Sequence, residues 1–297
     1  MAPLFDAYAM VDWSAASSPK RGPDSIWYRI LLRDGAALRQ SALENPATRQ
    51  QATTELCDHL TELLTQGRRV LAGFDFPFGY PSGTAAQLGI RGLPWRHLWQ
   101  LLDDALHDGD DNANDRFDVA EDLNRRLSGD AFPFWGNVRE EERRHLLRRG
   151  RRPHGPDDLA ERRLCDALLP STQPVWKLAG VGSVGSQALT GIPRVWQIRR
   201  DPRLAAETHI WPFETGLRFD PRPALILAEI YPSQVPAADL PGLPKDAGQV
   251  VAITDHLARQ DGEGVLADLF TGGPGLTEKQ RRIIELEEAW ILGAIVP

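Results

Sequence analysis

Three apolar segments of this chain each end in a carboxylate, and this repetition constrains the fold more than any other sequence feature. The three acids are Asp12, Asp75 and Glu229. An unpaired charge is costly to bury, and α/β sheets place their functional sites in the loops beyond the strand ends. We therefore expect the three carboxylates to converge on one edge of a sheet, although each could instead cap a helix or pair with an Arg.

The hydrophobic pattern predicts an α/β protein in which strands at both ends of the chain form a mixed sheet. In the first third we expect strands at Ala7–Asp12, Ile26–Arg33, Leu38–Leu43 and Arg68–Phe76, and a helix at Thr48–Gln66. In the last third we expect strands at Thr208–Phe213 and Ala224–Tyr231, and helices at Asp246–Gln260 and Thr277–Ile291.

The middle of the chain is more polar and is interrupted by Pro- and Gly-rich joints. The spacing there predicts helices at Trp95–His107, Arg116–Leu127, Arg139–Arg149 and Asp157–Leu168. We therefore predict a core formed by residues 1–82 and 208–297, with a mainly helical insertion or cap at 83–207.

Several protein classes are disfavoured by composition. The sequence has no apolar stretch near the roughly 18 residues of a membrane span, and its N-terminus lacks the basic region of a signal peptide. Cys57 and Cys165 are isolated, without the spacing of a disulfide framework or thiolate zinc site. We expect a cytoplasmic protein with no membrane partner, whose oligomeric state the sequence leaves open.

The charge is unevenly distributed. The chain has 34 Lys and Arg against 41 Asp and Glu, a formal net charge of -7. Nine acids lie between Asp103 and Asp122, whereas Arg143–Arg152 contains six Arg and no acid. The net charge therefore leaves a nucleic-acid partner open without supporting it.

The chemistry of the strand-end acids suggests a metal site. Three carboxylates that converge repel one another unless cations lie between them, and oxygen-only ligands suit Mg²⁺ or Mn²⁺. Two such ions can activate water and stabilise the leaving oxygen of a phosphodiester. The pattern indicates a divalent-metal-dependent phosphoryl hydrolase.

Several strings extend this interpretation through a resemblance. VDWS at Val11–Ser14, GFDFPFGYP at Gly73–Pro81 and EIYPS at Glu229–Ser233 resemble the ribonuclease H-like fold. Together with NDRFDVAEDLN, GVGSVGSQALTGIP and WPFET, they resemble an uncharacterised family of predicted nucleases with that fold. The resemblance covers most of the chain.

The resemblance implies one acid on the first strand, one on the fourth strand and one on a late helix. Carried over by position, these are Asp12, Asp75 and a carboxylate of the closing helices. Glu288 is the first choice for the helix position, with Glu287 and Asp246 close behind and Glu229 as a further candidate. The predicted metal and catalytic set is therefore Asp12, Asp75, Glu229 and Glu288.

Other functions remain open at this stage. The same core fold underlies kinases and actin-like ATPases, in which VDWSAASS at Val11–Ser18 could hold phosphate on its Ser-rich turn. A catalytically silent binding protein is a third possibility. The substrate of a hydrolase could be DNA, RNA or a phosphorylated small molecule.

One glycine-rich string matches the GxGxxG pattern of dinucleotide-binding loops at Gly180–Gly185. That fingerprint needs a strand before it and a long helix after it. We expect Gly191 and Pro193 to shorten any helix here, so we predict no nucleotide cofactor. A loop that contacts substrate through Ser183 and Ser186, or a packing loop, fits the string better.

Overall fold

A mixed sheet of six strands lies at the centre of the computed structural model, which describes residues 2–169 and 171–296. The strands are β1 (Ala7–Asp12), β2 (Trp27–Asp34), β3 (Ala37–Glu44), β4 (Val70–Phe74), β5 (Thr208–Ile210) and β6 (Leu225–Glu229). Their order is β3-β2-β1-β4-β6-β5. The first three strands pair antiparallel, and β1, β4, β6 and β5 run parallel.

Helices flank both faces of this sheet. They are α1 (Arg49–Thr65), α2 (Thr84–Gln87), α3 (Pro94–Ala105), α4 (Arg116–Leu127), α5 (Leu164–Leu168), α6 (Val184–Arg200), α7 (Lys245–Gly262), α8 (Leu266–Leu269) and α9 (Glu278–Ile283). A π-helical turn, Ile284–Glu288, continues α9. Within the described residues, no helix combines the length and apolarity needed to cross a membrane. The predicted α/β class with a mixed sheet is confirmed.

Alternation along the strands gives the sheet two different faces. Val11 of β1, Phe74 of β4 and Leu227 of β6 belong to one hydrophobic cluster, which they share with α1, α3 and α6. Their neighbours Met10 and Ala228 belong to a second cluster, on the face covered by α7. Which face a strand residue occupies therefore decides which helices it meets.

Residues 83–207 pack closely on the rest of the chain. Trp99 of α3 and Leu189 of α6 lie in the same hydrophobic cluster as Phe74 of the sheet. The indole Nε1 of Trp99 donates to the carbonyl of Phe78 at 2.8 Å. The helices of this segment thus cover one face of the sheet.

Two predictions in the middle segment are wrong. Arg139–Arg149 forms turns, because Arg143 pairs with Asp118 and Glu121 of α4 while Leu146 alone is buried. The helix expected over Asp157–Leu168 is reduced to the five residues of α5.

The helix α6 was not expected, because its sequence contains Gly191 and Pro193. Gly191 is required by packing: a Cβ there would lie 2.4 Å from the ring of Phe76. Burial of nearly the whole helix outweighs the poor helix propensity of these two residues.

Candidate functional site

Asp12 and Asp75 lie side by side at the carboxyl ends of two neighbouring parallel strands. Asp12 is the last residue of β1, and Asp75 follows β4, in which Phe74 lies opposite Val11. The backbone N–H of Asp75 donates to the carbonyl of Val11 at 3.2 Å. Asp75 Oδ1 accepts the backbone N–H of Trp13 at 2.7 Å. The two turns after the strands therefore hold each other and fix the carboxylate pair.

Both carboxylates lie on the face of the sheet that α7 covers. Asp12 is two residues beyond Met10, which packs in the α7-side cluster. Asp75 is two residues beyond Gly73, where a Cβ would lie 2.5 Å from the Sδ of Met10. Since side chains two apart along a strand share a face, the pair points toward the start of α7.

Burial and neighbouring acidic groups perturb the titration of this pair. Burial, and then the neighbouring charge of Asp75, raise the pKa of Asp12 well above its usual range. Burial raises the pKa of Asp75 to about 6, although hydrogen bonds from the Asp12 side chain and the Trp13 N–H act to lower it. Two such carboxyls hold a shared proton unless a cation replaces it.

The pair lies at the wall of a cavity of about 530 Å³ that two further acids line. Asp246, in the first turn of α7, accepts the backbone N–H of Asp24 at 2.6 Å through Oδ2. Asp24 has a positive φ of 52°, in the turn before β2. Four carboxylates therefore border one cavity.

The donor set suits a hard divalent cation in chemistry but not as a complete cage. Among the described residues, no three or more His, Cys, Asp or Glu form a group that could hold a metal ion. Asp12 and Asp75 supply two adjacent carboxylates, and Mg²⁺ commonly uses one or two with water filling the remaining positions. The residues present thus fit an ion that Asp12 and Asp75 would hold, with water completing its coordination.

Two basic groups also line this cavity. Arg116 and Lys20 both border it. Arg116 donates through Nε to Ser186 at 3.0 Å and through a terminal nitrogen to Ser17 at 2.9 Å. Burial, and then the charge of Arg49, lower the pKa of Arg116 to about 10, so it stays protonated at neutral pH. The cavity is therefore lined by four carboxylates and two bases, and Lys20 pairs with Asp24 at 3.4 Å.

The glycine-rich loop 180–183 forms the outer edge of the cavity and leads into α6. Val181 at its tip is 95% exposed, and its carbonyl accepts a hydrogen bond from the Lys177 ammonium at 2.5 Å. Ser183 and Ser186 line the cavity, as the sequence predicts for a loop near substrate. The expectation of a shortened helix is wrong, but in the described structure no strand immediately precedes the loop.

Glu229 does not join this cavity, which corrects the expected convergence of three strand-end acids. It lies opposite Phe74 in the sheet and so faces the side away from Asp12. Its two oxygens accept from the terminal nitrogens of Arg163 at 2.6 and 2.7 Å, and Oε2 also accepts from the Phe78 N–H at 2.9 Å. Arg163 also pairs with Asp166 at 2.9 Å. Glu229 is thus part of a buried ion-pair network.

Glu288 also binds other groups and does not line the cavity of Asp12 and Asp75. Its carboxylate accepts the backbone N–H groups of Ser82 at 2.9 Å and Leu164 at 2.7 Å. Gly79 allows this close packing, because a Cβ there would lie 2.5 Å from the Glu288 carbonyl oxygen. The closing π-helical turn therefore packs directly on the segment that follows Asp75.

Glu287 has the same structural role as Glu288. It accepts the backbone N–H groups of Gly83 at 2.9 Å and Ala85 at 2.6 Å, which orders the start of α2. Burial raises its pKa, and no base offsets this effect among the causes of the shift. Of the closing-helix candidates, Asp246 is the one that the structure places beside Asp12 and Asp75.

Three residues that line the cavity or belong to the buried ion-pair network were not predicted from the sequence: Asp24, Arg116 and Arg163. Asp24 follows Gly22-Pro23, a turn signal that did not indicate which way its side chain points. Arg116 and Arg163 are two of many Arg residues, and only long-range contacts with Ser186 and Glu229 distinguish them. No local pattern could have identified either one.

The chain was compared with protein-family models, curated proteins and solved structures. No family model, curated protein or solved structure matches it. The function of this chain must therefore be inferred from the geometry of the site.

Removing the charge of Glu229 tests its structural role. We expect Glu229→Gln to lower the free energy of unfolding by about 3–5 kcal/mol, because it leaves Arg163 as an undercompensated buried charge. The control is Asp58→Asn at the exposed ion pair with Arg203, for which we expect less than about 1 kcal/mol. Urea denaturation measures both. A Glu229→Gln protein as stable as the control would contradict this role.

The raised pKa of Asp75 predicts a pH-dependent stability in metal-free buffer. The native state binds the proton of the Asp75 carboxyl more tightly than the unfolded chain does. The stability that this protonated carboxyl contributes therefore falls as pH rises from about 4 through about 6. We expect Asp75→Asn to gain stability relative to wild type over that interval, by on the order of 2 kcal/mol. Urea unfolding with chelator at pH 4.5 and 7.5 measures it, and parallel pH profiles would refute it.

Proposed function

We propose that this protein is a divalent-metal-dependent phosphoryl hydrolase, nuclease-like in its chemistry, on a ribonuclease H-like sheet. The observation that carries the proposal is the Asp12–Asp75 pair at the wall of an open cavity that Arg116 also lines. Acids on the first and fourth strands are what the sequence resemblance implies, and here those strands are adjacent. The third acid would be Asp246, from a late helix.

The acids and the bases that line the cavity have different tasks in this proposal. Asp12 and Asp75 would hold Mg²⁺ or Mn²⁺, which when bound lowers the pKa of water and polarises a phosphoryl oxygen. The guanidinium of Arg116, which also lines the cavity, can bind the remaining phosphoryl oxygens. Hydrogen bonds to Ser17, Ser186 and Asn114 hold Arg116 in place, and it forms no ion pair with a carboxylate among the described residues.

Asp246 is suited to orient the attacking water. Its Oδ2 accepts the N–H of Asp24, which fixes the carboxylate. Its Oδ1 accepts no hydrogen bond within the described part of the chain, so it can accept one from water. In this arrangement Asp246 would position water, and Asp12 and Asp75 would hold the cation.

A kinase or ATPase is the second candidate function, and one observation favours it. Residues of the turn after β1, including Ser14 and Ala16, line the cavity beside Asp12. A turn in this position could contact the phosphates of ATP. A thermal shift with ATP and Mg²⁺ in the absence of phosphoester hydrolysis would favour this function over the hydrolase.

Substitution of the pair tests the hydrolase directly. We expect Asp12→Asn and Asp75→Asn each to reduce Mn²⁺-dependent hydrolysis of bis(p-nitrophenyl) phosphate or an oligonucleotide panel by about 100-fold or more, since a bound cation contributes several kcal/mol to the transition state. Asp268→Asn, at an exposed carboxylate of α8 that does not line the cavity, is the control and should keep its activity. Full activity in both pair variants would overturn the proposal.

A further inference from the structure

A second, smaller cavity of about 190 Å³ adjoins the proposed hydrolase site. Asp75 and Gly182 line both cavities, so Asp75 lies where the two cavities meet. A group bound in the second cavity would therefore lie next to a phosphoryl group bound at Asp12 and Asp75.

The walls of the second cavity are mostly apolar and include two aromatic rings. Ile230, Ile291 and Val184 supply aliphatic surface, Phe76 supplies a buried ring, and Tyr231 supplies a half-buried ring that a ligand can reach. Flat aromatic rings bind other flat rings by stacking. The binding energy of stacking does not require specific hydrogen bonds. The cavity thus suits a compact planar group.

Polar groups on the same cavity could read the edge of such a ring. Gln173 uses Oε1 to accept from the Lys177 ammonium at 3.1 Å, whereas its Nε2 has no partner among the described residues. Within that same part of the chain, the Ser233 hydroxyl also forms no hydrogen bond, and both side chains line the cavity. A few polar groups in an apolar cleft are the usual arrangement for orienting a small ligand.

The charges that line the second cavity do not suit a phosphate. Arg163 is the one base among the described residues that line it, and Glu229 and Asp166 already hold its guanidinium. Asp75 adds a further acid. A phosphate would meet acids here without a spare cation, so the cavity does not suit an anionic group.

We propose that the second cavity is a nucleobase subsite, so that the phosphoester cleaved at Asp12 and Asp75 belongs to a nucleotide or an oligonucleotide end. The inference rests on the proposed hydrolase for the position of the phosphate. The base stacks on Tyr231, Gln173 and Ser233 contact its polar edge, and the phosphate lies across Asp75 in the larger cavity.

Binding of nonhydrolysable ligands tests the subsite independently of catalysis. The probes are the 5′-phosphonates of adenosine, guanosine, cytidine and uridine, compared with ribose 5-phosphonate, in calorimetric titrations with Mg²⁺. We expect at least one nucleoside phosphonate to bind 10-fold or more tightly than ribose phosphonate. Equal affinity of all five compounds would overturn the subsite.

Two substitutions of Tyr231 test whether its ring causes the preference for a nucleoside. Tyr231→Ala should remove the preference for the nucleoside probe, whereas Tyr231→Phe, which keeps the ring, should retain it within about threefold. Hydrolysis without nucleoside preference would refute the subsite alone, and nucleoside preference without hydrolysis would refute the hydrolase alone. A Tyr231→Ala protein with unchanged preference would also refute the subsite.

Discussion

The parallel pairing of β1 with β4 is the constraint on which the site depends. The register that places Val11 opposite Phe74 brings the next residues of each strand, Asp12 and Asp75, side by side on one face. A shift of one residue in either strand would send one carboxylate to the opposite face. Among the described residues neither acid forms an ion pair with a base, so burial and the charges of neighbouring acids raise the pKa of both carboxyls. This unfavourable arrangement becomes favourable once a cation or proton lies between the carboxyls.

Glu229 shows how the same strand-end pattern can have a different purpose. Its strand is parallel to β4 and ends at the same edge, yet Glu229 faces the other side of the sheet and pairs with Arg163. The carboxylates of Glu287 and Glu288 bind backbone N–H groups in the segments that surround this network. The molecule therefore uses one set of buried acids to tie its closing turn to the sheet, and a separate set around the open cavity.

The strands and their terminal acids could be predicted because they depend on local patterns of apolar residues. The side that each acid faces could not be predicted, because it depends on the register between strands far apart in sequence. The helix α6 was missed for a related reason: Gly191 breaks helices by local propensity but is required here by contact with Phe76. Asp246 was one of three candidates for the late-helix acid, and only the packing of α7 on β1 distinguishes it from Glu287 and Glu288.

The central claim is that Asp12 and Asp75, rather than Glu229 and Glu288, bind the divalent cation. A crystal soaked in Mn²⁺ and measured at the manganese absorption edge tests this claim most directly. The account predicts an anomalous peak in contact with Asp12 and Asp75, with the ion pair between Glu229 and Arg163 intact. A peak at Glu229 or Glu288, or no peak at the Asp12–Asp75 pair under saturating Mn²⁺, would contradict it.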